Sequence, residues 1–295
     1  MNKVAFLFLT IDNLKHSSIW NEYFKDIDKN KFTIYVHPKN PKKVKDSILK
    51  NNIIDHLVET KHGFLVEAMV QLMKSAIKDS NNKFFIFVSD SCIPIKKFDI
   101  MYDEVFKLNK SIVGEMFLKK WNKEKRYVNT QKLVNFDKVL PRKSLIKFSQ
   151  WSILTKQNVE TIIASPYLEF FYKMNAGDEF YLSILNHSGF EYIDLPATYV
   201  DWAISDVFAL KLHRIKKDLD SSLKKYNYGV GEDDRLILKD IIQKLKVESS
   251  KLSSHPREFN KINKKDIGLL KKSKAFFARK FSVDSDISKH IANIW

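Results

Sequence analysis

The N-terminal part of the chain contains three short runs that are apolar at nearly every position. They cover residues 4–9, 32–36 and 84–88. Such runs are typical of strands that are covered on both faces, as in a parallel sheet. Between them, residues 17–28 and 64–77 carry apolar side chains at helical spacing. This alternation predicts an α/β fold with a mostly parallel central sheet flanked by helices.

Beyond residue 150 the predicted elements become shorter and more mixed. They are a strand at 151–154, helices at 157–164 and 179–185, extended segments within 191–200, and a charged, mostly helical stretch at about 206–250. The sequence has no internal repeat and no Pro- or Gly-rich linker of the kind that separates independent domains. We therefore predict a single domain over residues 1–295, with a helical insertion at about 206–250.

Charge adds a preference for anionic partners. The 51 Lys and Arg against 35 Asp and Glu leave a net charge of +16, which favours nucleic acids, acidic membranes or phosphorylated small molecules. A compositional bias toward Lys, Asn and Ile on a solvated surface explains the same numbers equally well. A basic nucleic-acid-binding protein stays open as an alternative, although the sequence has no RRM, KH, zinc-finger or clear helix-turn-helix signature.

The single cysteine, Cys92, excludes an intramolecular disulfide and a zinc site with several thiolates. One cysteine fits a reducing compartment, and we expect a cytoplasmic location. The apolar run at 4–9 is too short for a signal peptide or a membrane span, so no transmembrane segment is expected. We interpret the Cys92 thiol as a small apolar group of the core rather than a nucleophile.

Familiar nucleotide and metal motifs are missing from the sequence. There is no GxGxxG, no P-loop and no GxSxG elbow. Three Asp-x-Asp triplets begin at Asp26, Asp218 and Asp284, but none follows a predicted buried strand. We interpret these carboxylates as solvated surface groups and predict no metal site.

Six other segments stand out, because most of them adjoin predicted strands, where open α/β sheets bind ligands. They are Phe-Val-Ser-Asp-Ser-Cys-Ile-Pro-Ile at 87–95, Phe-Ser-Gln-Trp at 148–151, Asp-Glu-Phe-Tyr at 178–181, Thr-Tyr-Val-Asp-Trp at 198–202, His-Pro-Arg at 255–257 and Phe-Phe-Ala-Arg-Lys-Phe at 276–281. In order and approximate spacing they resemble the core-2/I-branching β-1,6-N-acetylglucosaminyltransferase family, with its peptide O-xylosyltransferase and plant relatives. The resemblance implies a GT-A-like glycosyltransferase domain.

The resemblance implies an inverting transfer from a UDP-sugar, with GlcNAc or xylose preferred, to a hydroxyl of a glycan or glycoprotein acceptor. The product would be β-linked, and neither a metal nor another cofactor would be needed. An inverting transfer needs one carboxylate to take the proton from the attacking hydroxyl, and Glu179 matches the family's base. We expect a helix start at this position to favour the Glu179 charge, and we interpret Asp178 as the helix N-cap.

A transfer without a metal needs fixed cations to neutralise the departing diphosphate. The resemblance assigns this role to Lys280 and to Arg257, which lies 23 residues before it. Arg279 is expected to point away from Lys280 if that segment is extended. A catalytically inactive sugar-binding module is a further alternative, but the joint presence of Glu179, Lys280 and Arg257 speaks against it.

The resemblance also divides the domain into a nucleotide-sugar-binding half, at about 1–120, and an acceptor and catalytic half, at about 121–295. In the first half, Thr10 and His37 would border the nucleoside. Pro38 stands where many relatives carry an Asp that contacts the nucleoside, so that contact is missing here. Trp151 is favoured as a core residue, although its ring could also stack on a sugar. The candidates for sugar or acceptor contact are Ser149, Trp151, Asp201 and Trp202.

Overall fold

The computed structural model of the protein describes residues 1–115, 140–141, 144, 146–202 and 256–295. The chain divides into two compact units, one formed by residues 1–199 with 260–295 and the other by residues 200–259. In the second unit, the described residues are 200–202 and 256–259. The predicted helical insertion at 206–250 lies outside the described residues, and the single-domain organisation stays a prediction.

The strands belong to two sheets. They are β1 (Lys3–Thr10), β2 (Phe32–Pro38), β3 (Asn82–Ser89), β4 (Ile93–Pro94), β5 (Ser111–Ile112), β6 (Ile153–Thr155), β7 (Tyr192–Ile193), β8 (Thr198–Val200) and β9 (Phe277–Arg279). The larger sheet has the order β2-β1-β3-β6-β5-β7. β1 is parallel to β2 and β3, and β5 to β7, whereas β6 is antiparallel to β3 and β5. The larger sheet is therefore mostly parallel, as predicted.

Helices flank this sheet. They are α1 (Ser17–Phe24), α2 (Ser47–Lys50), α3 (Val66–Ala76), α4 (Phe98–Leu108), α5 (Lys156–Ala164), α6 (Leu168–Tyr172), α7 (Ser183–His187), α8 (Lys264–Lys272) and α9 (Ile291–Ile294). Short 3₁₀ turns cover Pro41–Lys43, Gly177–Glu179 and Asp286–Lys289. The predicted α/β class is confirmed.

The two central strands are buried on both faces, because successive side chains of a strand point to opposite sides of the sheet. On one face, Leu7 and Phe85 pack in a core with α3 and α5. On the other face, Phe6 and Phe84 pack in a second core with α1 and α4, where the Trp20 ring lies 6.2 Å from that of Phe6. Two-sided burial explains why β1 and β3 are apolar at nearly every position.

The smaller sheet has the order β4-β9-β8. β4 and β9 are antiparallel, with Ile93 opposite Ala278. The backbone amides of Phe276 and Phe277 both donate to the carbonyl of Ala197, at 3.0 and 3.2 Å. This sheet places the C-terminal Phe-Ala-Arg-Lys-Phe segment beside the loop that follows β3.

The sequence predicts the long elements better than the short ones. The apolar runs at 4–9, 32–36 and 84–88 lie within β1, β2 and β3. The predicted helix at 179–185 is wrong in its start, since a 3₁₀ turn ends at Glu179 and α7 begins at Ser183. Phe180, with φ −125°, interrupts the helical backbone between them.

Candidate active site

Two loops meet where the parallel strands β1 and β3 end, and we call residues 10–15 and 89–92 the strand-end loops. The backbone amide of Ile11 donates to Asp90 Oδ2 at 3.3 Å, and the amide of Lys15 donates to the Asp90 carbonyl at 3.0 Å. Burial raises the pKa of the Asp90 carboxyl, against the lowering effect of the Ile11 hydrogen bond and of the Lys15 and Arg279 charges. The carboxyl edge of the sheet thus holds a fixed, half-buried carboxyl group.

The second strand-end loop is also tied to the C-terminal segment. The backbone amide of Phe281 donates to the Ser91 carbonyl at 3.3 Å. Cys92 is fully buried, and burial raises the pKa of its thiol, so the group stays protonated at neutral pH. This placement agrees with the interpretation of Cys92 as a small apolar residue of the core.

Beside this loop, the Arg279 guanidinium stacks on Trp151. Its Cζ lies 4.7 Å from the centre of the indole ring. Trp151 is 5% exposed and forms part of the core, as favoured from the sequence. Lys280, the next residue of the segment, is half-buried. The expectation that Arg279 points away from Lys280 stays a prediction, and the Arg279 side chain itself lies against Trp151.

Glu179 lies in a short turn, and we call residues 176–179 the carboxylate turn. Glu179 Oε2 lies 2.9 Å from Lys147 Nζ, with the two side chains 26% and 32% exposed. The backbone amide of Phe148 donates to the Glu179 carbonyl at 2.7 Å. These contacts join Glu179 to the segment that leads to Trp151 and leave part of its carboxylate accessible to a substrate.

Local backbone conformation shapes the carboxylate turn. Ala176 has φ +60°, in the left-handed region that residues with a Cβ seldom adopt, and its amide donates to the Gly63 carbonyl at 2.7 Å. A Cβ on Gly177 would overlap the Phe171 carbonyl oxygen and lie 3.2 Å from Val66 Cγ2. Asp178 lies within the 3₁₀ turn, so its interpretation as a helix N-cap is wrong, because the N-terminal flanking residue is Ala176.

Asp178 precedes Glu179 in the same 3₁₀ turn and is 7% exposed. Burial, and secondarily the Glu179 charge, raises the pKa of Asp178 from 3.8 to about 6. Asp178 Oδ1, Tyr181 Oη and Ser152 Oγ are buried, and Asp178 Oδ1 has no hydrogen-bond partner within the described part of the chain. Burial and the Asp178 charge also raise the pKa of Tyr181, which keeps that hydroxyl protonated. The two neighbouring carboxyls therefore lie in very different environments.

The two nucleoside candidates lie at the ends of β1 and β2. Thr10 is 5% exposed and donates through Oγ1 to the Asp12 carbonyl at 3.2 Å. His37 is fully buried, and its Nε2 accepts a 3.0 Å hydrogen bond from the Val58 amide. Burial lowers the pKa of His37, which keeps the ring neutral. In this arrangement His37 joins β2 to the loop at Val58, and a contact with a nucleoside stays a prediction.

Ser149 and Trp151 lie next to each other in the first unit. Ser149 Oγ accepts a 3.2 Å hydrogen bond from the Trp151 amide, and the Ser149 amide donates to the Gly114 carbonyl at 2.8 Å. The Ser149 hydroxyl therefore helps to shape the turn that leads into β6. Its contact with a sugar stays a prediction.

In the second unit, Arg257 is paired with Asp201. Arg257 Nη1 lies 3.3 Å from Asp201 Oδ2, and the Arg257 amide donates to the Asp201 carbonyl at 2.9 Å. The Arg257 guanidinium also lies 4.5 Å from the ring centre of Phe259. Asp201 is buried and Trp202 is half-buried. His255, the first residue of the predicted His-Pro-Arg motif, lies outside the described residues.

In the first unit, the structure thus brings Glu179, Ser149 and Trp151 to one region and Thr10, Lys280 and Arg279 to the edge beside it. Sequence reasoning missed Lys147 and Asp90 as site residues. Asp90 was inside a recognised segment at the end of a buried strand, which is a usable signal. Lys147 gave no signal, because one lysine among 51 Lys and Arg cannot be distinguished without the fold.

Two general features concern only the residues that the structure describes. Among these residues, no three His, Cys, Asp or Glu side chains form a group able to hold a metal ion. Within the same ranges, no helix has the length and apolar character needed to cross a membrane.

Comparison with known proteins shows a family and proteins that are similar to this chain. The Core-2/I-Branching enzyme family model matches residues 4–221. Glycosyltransferase BC10 of Oryza sativa subsp. japonica is 29% identical over 168 residues, covering 55% of this chain and 40% of that protein. The chain therefore matches only about two fifths of the length of this relative. The crystal structure of TarS from S. aureus is similar over 82% of this chain and 43% of its own, with 11% identity and a TM-score of 0.32.

Proposed function

Because this chain belongs to the Core-2/I-Branching enzyme family, we propose that it transfers a sugar from a UDP-sugar to a hydroxyl of a glycan or protein acceptor. GlcNAc and xylose are the sugars we favour. The family and the similarity to a protein named glycosyltransferase agree with the predicted enzyme class. The observation that carries the proposal is the accessible Glu179 carboxylate, fixed beside Lys147 at the candidate site.

In the proposed reaction, Glu179 takes the proton of the acceptor hydroxyl while the hydroxyl oxygen attacks the anomeric carbon. The bond between that carbon and the donor diphosphate breaks, and the diphosphate leaves as UDP. A single displacement inverts the configuration, so an α-linked donor gives a β-linked product. The fixed position of Glu179, through Lys147 and the Phe148 amide, supports its assignment as the base.

Negative charge develops on the leaving diphosphate, and fixed cations must stabilise it if no metal takes part. Lys280 is our first candidate, because it directly follows β9, which pairs with β4 beside the loop that follows β3. Arg257 is the second candidate, and its pairing with Asp201 means that diphosphate binding would compete with that carboxylate for the guanidinium. We propose that the transfer proceeds without a metal ion.

A nucleotide-sugar screen tests this function. UDP-GlcNAc or UDP-xylose should raise the melting temperature in EDTA, because a ligand that binds only the folded state stabilises it. Wild-type protein should also release UDP from that donor in EDTA. A strict need for Mn²⁺ or Mg²⁺ would contradict the metal-free reaction, whereas a complete lack of nucleotide-sugar binding would contradict the transferase function.

Lys280→Ala and Arg257→Ala examine the two proposed phosphate ligands in the same assay. A charge-assisted contact contributes about 1.5–3 kcal/mol, so each change should weaken UDP binding by at least about tenfold. Exposed Lys272, in the last turn of α8, offers a matched control in Lys272→Ala. If Arg257→Ala binds UDP like the wild type while Lys280→Ala does not, Arg257 is not a phosphate ligand.

A further inference from the structure

A strongly basic segment lies beside the first strand-end loop, and we call residues 39–50 the lysine segment. It contains five lysines and one carboxylate, Asp46, but no arginine and no aromatic residue. All of the lysine side chains are exposed, and they belong to Lys39, Lys42, Lys43, Lys45 and Lys50. None of the proposed catalytic steps uses them.

The backbone of the lysine segment is fixed to the residues that follow β1. The Asn40 amide donates to the Ile11 carbonyl at 2.8 Å, and Asn13 Oδ1 accepts a 2.7 Å hydrogen bond from the Lys45 amide. The Leu49 side chain is fully buried in the core on this side of the sheet. The lysines therefore extend from a backbone that is held at several points beside the carboxyl edge of β1.

The charges of the lysine segment are not neutralised within the described ranges. None of its five ammonium groups forms an ion pair or a hydrogen bond there. The Asp46 carboxylate caps α2, since its Oδ1 accepts from the Ile48 amide at 3.1 Å. Elsewhere, by contrast, Lys31 pairs with Asp99 at 2.9 Å. Because neighbouring unpaired charges reinforce one another over about 8 Å at physiological salt, the segment forms a patch of positive potential.

The residue types of the lysine segment distinguish between anionic partners. Single-stranded nucleic acids are bound by cations together with aromatic rings that stack on the bases, and phosphate recognition favours the planar fork of arginine. The segment has neither group. Ammonium groups are point charges that suit the diffuse charge of a bilayer surface, where each lysine strengthens binding by about fivefold. Ile11, which is 56% exposed and bonded to the segment, offers an apolar side chain to the same surface.

We propose that the lysine segment docks this protein on the surface of a membrane that contains anionic lipids. The inference goes beyond the proposed function and does not depend on it. Lysines that each contribute about fivefold would together favour an anionic over a neutral bilayer by about 10³-fold, which is a reversible attachment. Docking through this segment would bring the carboxyl edge of β1 close to the membrane surface.

Co-sedimentation with lipid vesicles tests the docking. One set of vesicles contains phosphatidylcholine alone, and the other contains about 30% phosphatidylserine, both at about 0.1 M NaCl. The wild type should bind the phosphatidylserine vesicles at least about 100-fold more tightly, and higher salt should weaken this binding because it screens the charges. Equal binding to the two kinds of vesicle would overturn the inference.

Two double variants separate the lysine segment from the net charge of the chain. Lys42→Gln/Lys43→Gln removes two exposed charges from the segment and should weaken binding to phosphatidylserine vesicles by about 25-fold. Lys264→Gln/Lys265→Gln removes the same charge from the exposed start of α8 and should weaken binding by less than about twofold. Unchanged melting temperatures would show that both variants fold. Equal losses in the two variants would assign the attraction to net charge and overturn the inference.

A nucleic acid is the competing partner for such a patch. The same variants are therefore titrated with a fluorescent single-stranded oligonucleotide at the same salt concentration. We expect the wild type to prefer phosphatidylserine vesicles that carry the same total negative charge. If Lys42→Gln/Lys43→Gln weakens oligonucleotide binding and leaves vesicle binding unchanged, the segment binds nucleic acid and the inference is wrong.

Discussion

The strand-end loops and the carboxylate turn lie in the same unit but are built in opposite ways. The strand-end loops follow two long strands buried on both faces, and backbone amides of Ile11, Lys15 and Phe281 fix them. The carboxylate turn follows no strand, and it depends on the left-handed Ala176 and on a glycine packed against a carbonyl oxygen. One region is held by a deep core, the other by a few close contacts.

In the proposed reaction, this difference would separate two tasks. Binding a charged donor would need fixed groups that keep their positions, and we propose that the sheet edge supplies them. Proton transfer needs a carboxylate that is held but still reachable, and the 3₁₀ turn presents Glu179 in that way while burying Asp178. We therefore expect changes at the strand-end loops to alter donor affinity, and changes at the carboxylate turn to alter the catalytic step.

Glu179→Gln gives the largest expected effect. The amide keeps the size of the side chain but cannot accept the hydroxyl proton, so the turnover number should fall by about 10²–10⁴-fold. UDP affinity should stay within about twofold of the wild-type value, because the donor groups are unchanged. Single-turnover transfer and UDP titration on the same preparation measure both quantities. Near-normal turnover would remove Glu179 from the role of base.

Asp178→Asn tests whether the buried Asp178 carboxyl differs from the accessible Glu179 carboxyl. The pKa of Asp178 is about 6 in the folded protein, above the ordinary 3.8, so its ionisation opposes folding. Its contribution to stability is present below pH 3.8 and is lost as the pH rises through about 6. Between pH 4 and pH 7.5, the wild type should lose about 2 kcal/mol of unfolding free energy relative to the variant.

Urea unfolding of both proteins at these two pH values measures that difference. Asp178→Asn, like Glu179→Gln, replaces a carboxylate by an amide of the same size. The transfer activity of Asp178→Asn should fall by less than that of Glu179→Gln. A stability difference that does not change with pH would show that Asp178 is not held at a raised pKa by burial.

Gly177→Ala tests whether the carboxylate turn depends on close packing. The new Cβ would overlap the Phe171 carbonyl oxygen, so the turn must shift. A displacement of about 1 Å at a catalytic group costs up to about 10²-fold in rate, and we expect a loss of about 10- to 100-fold in turnover. Overpacking should also lower stability by about 1–3 kcal/mol.

Gly268→Ala is the matched control, because nothing lies within 4 Å of the new Cβ in the middle of α8. It should leave turnover unchanged and stabilise the protein by up to about 1 kcal/mol. Equal turnover in the two variants would mean that the turn tolerates displacement.

Lys147→Gln gives the smallest effect. Part-exposed ion pairs contribute only about 0–1 kcal/mol, so the loss of the 2.9 Å contact with Glu179 should lower the turnover number by about two- to fivefold. Lys147→Arg, which keeps the charge, should retain most of the activity. Acceptor-saturation curves separate the turnover number from the KM. A change in the acceptor KM alone would indicate that Lys147 binds the acceptor and does not position Glu179.

The same comparison explains what the sequence could predict. β1, β2 and β3 carry continuous apolar runs, and two-sided burial imposes that pattern, so the sheet and its carboxyl edge follow from the sequence. The 3₁₀ turn at Gly177–Glu179 depends on packing against Phe171 and on a hydrogen bond to Gly63, more than a hundred residues away in the chain. No local pattern encodes such contacts.

The candidate residues also differ in how far the sequence predicts them. Glu179 and Lys280 are candidates because they belong to segments that resemble those of a known family. Arg279 belongs to the same segment, but its direction is set by its stacking on Trp151, a contact between residues 128 positions apart in the sequence. Lys147 pairs with Glu179 through the fold alone. Residue types can thus be read from the sequence, whereas their orientation needs the structure.

The anomeric configuration of the product tests the central claim, that one carboxylate at the carboxylate turn drives a single displacement. Proton NMR of the glycoside product reports this configuration through the coupling between H1 and H2 of the transferred sugar. With an α-linked UDP-GlcNAc or UDP-xylose donor, the account predicts a β-linked product. An α-linked product would contradict it, because retention requires either a second displacement or a different attack geometry.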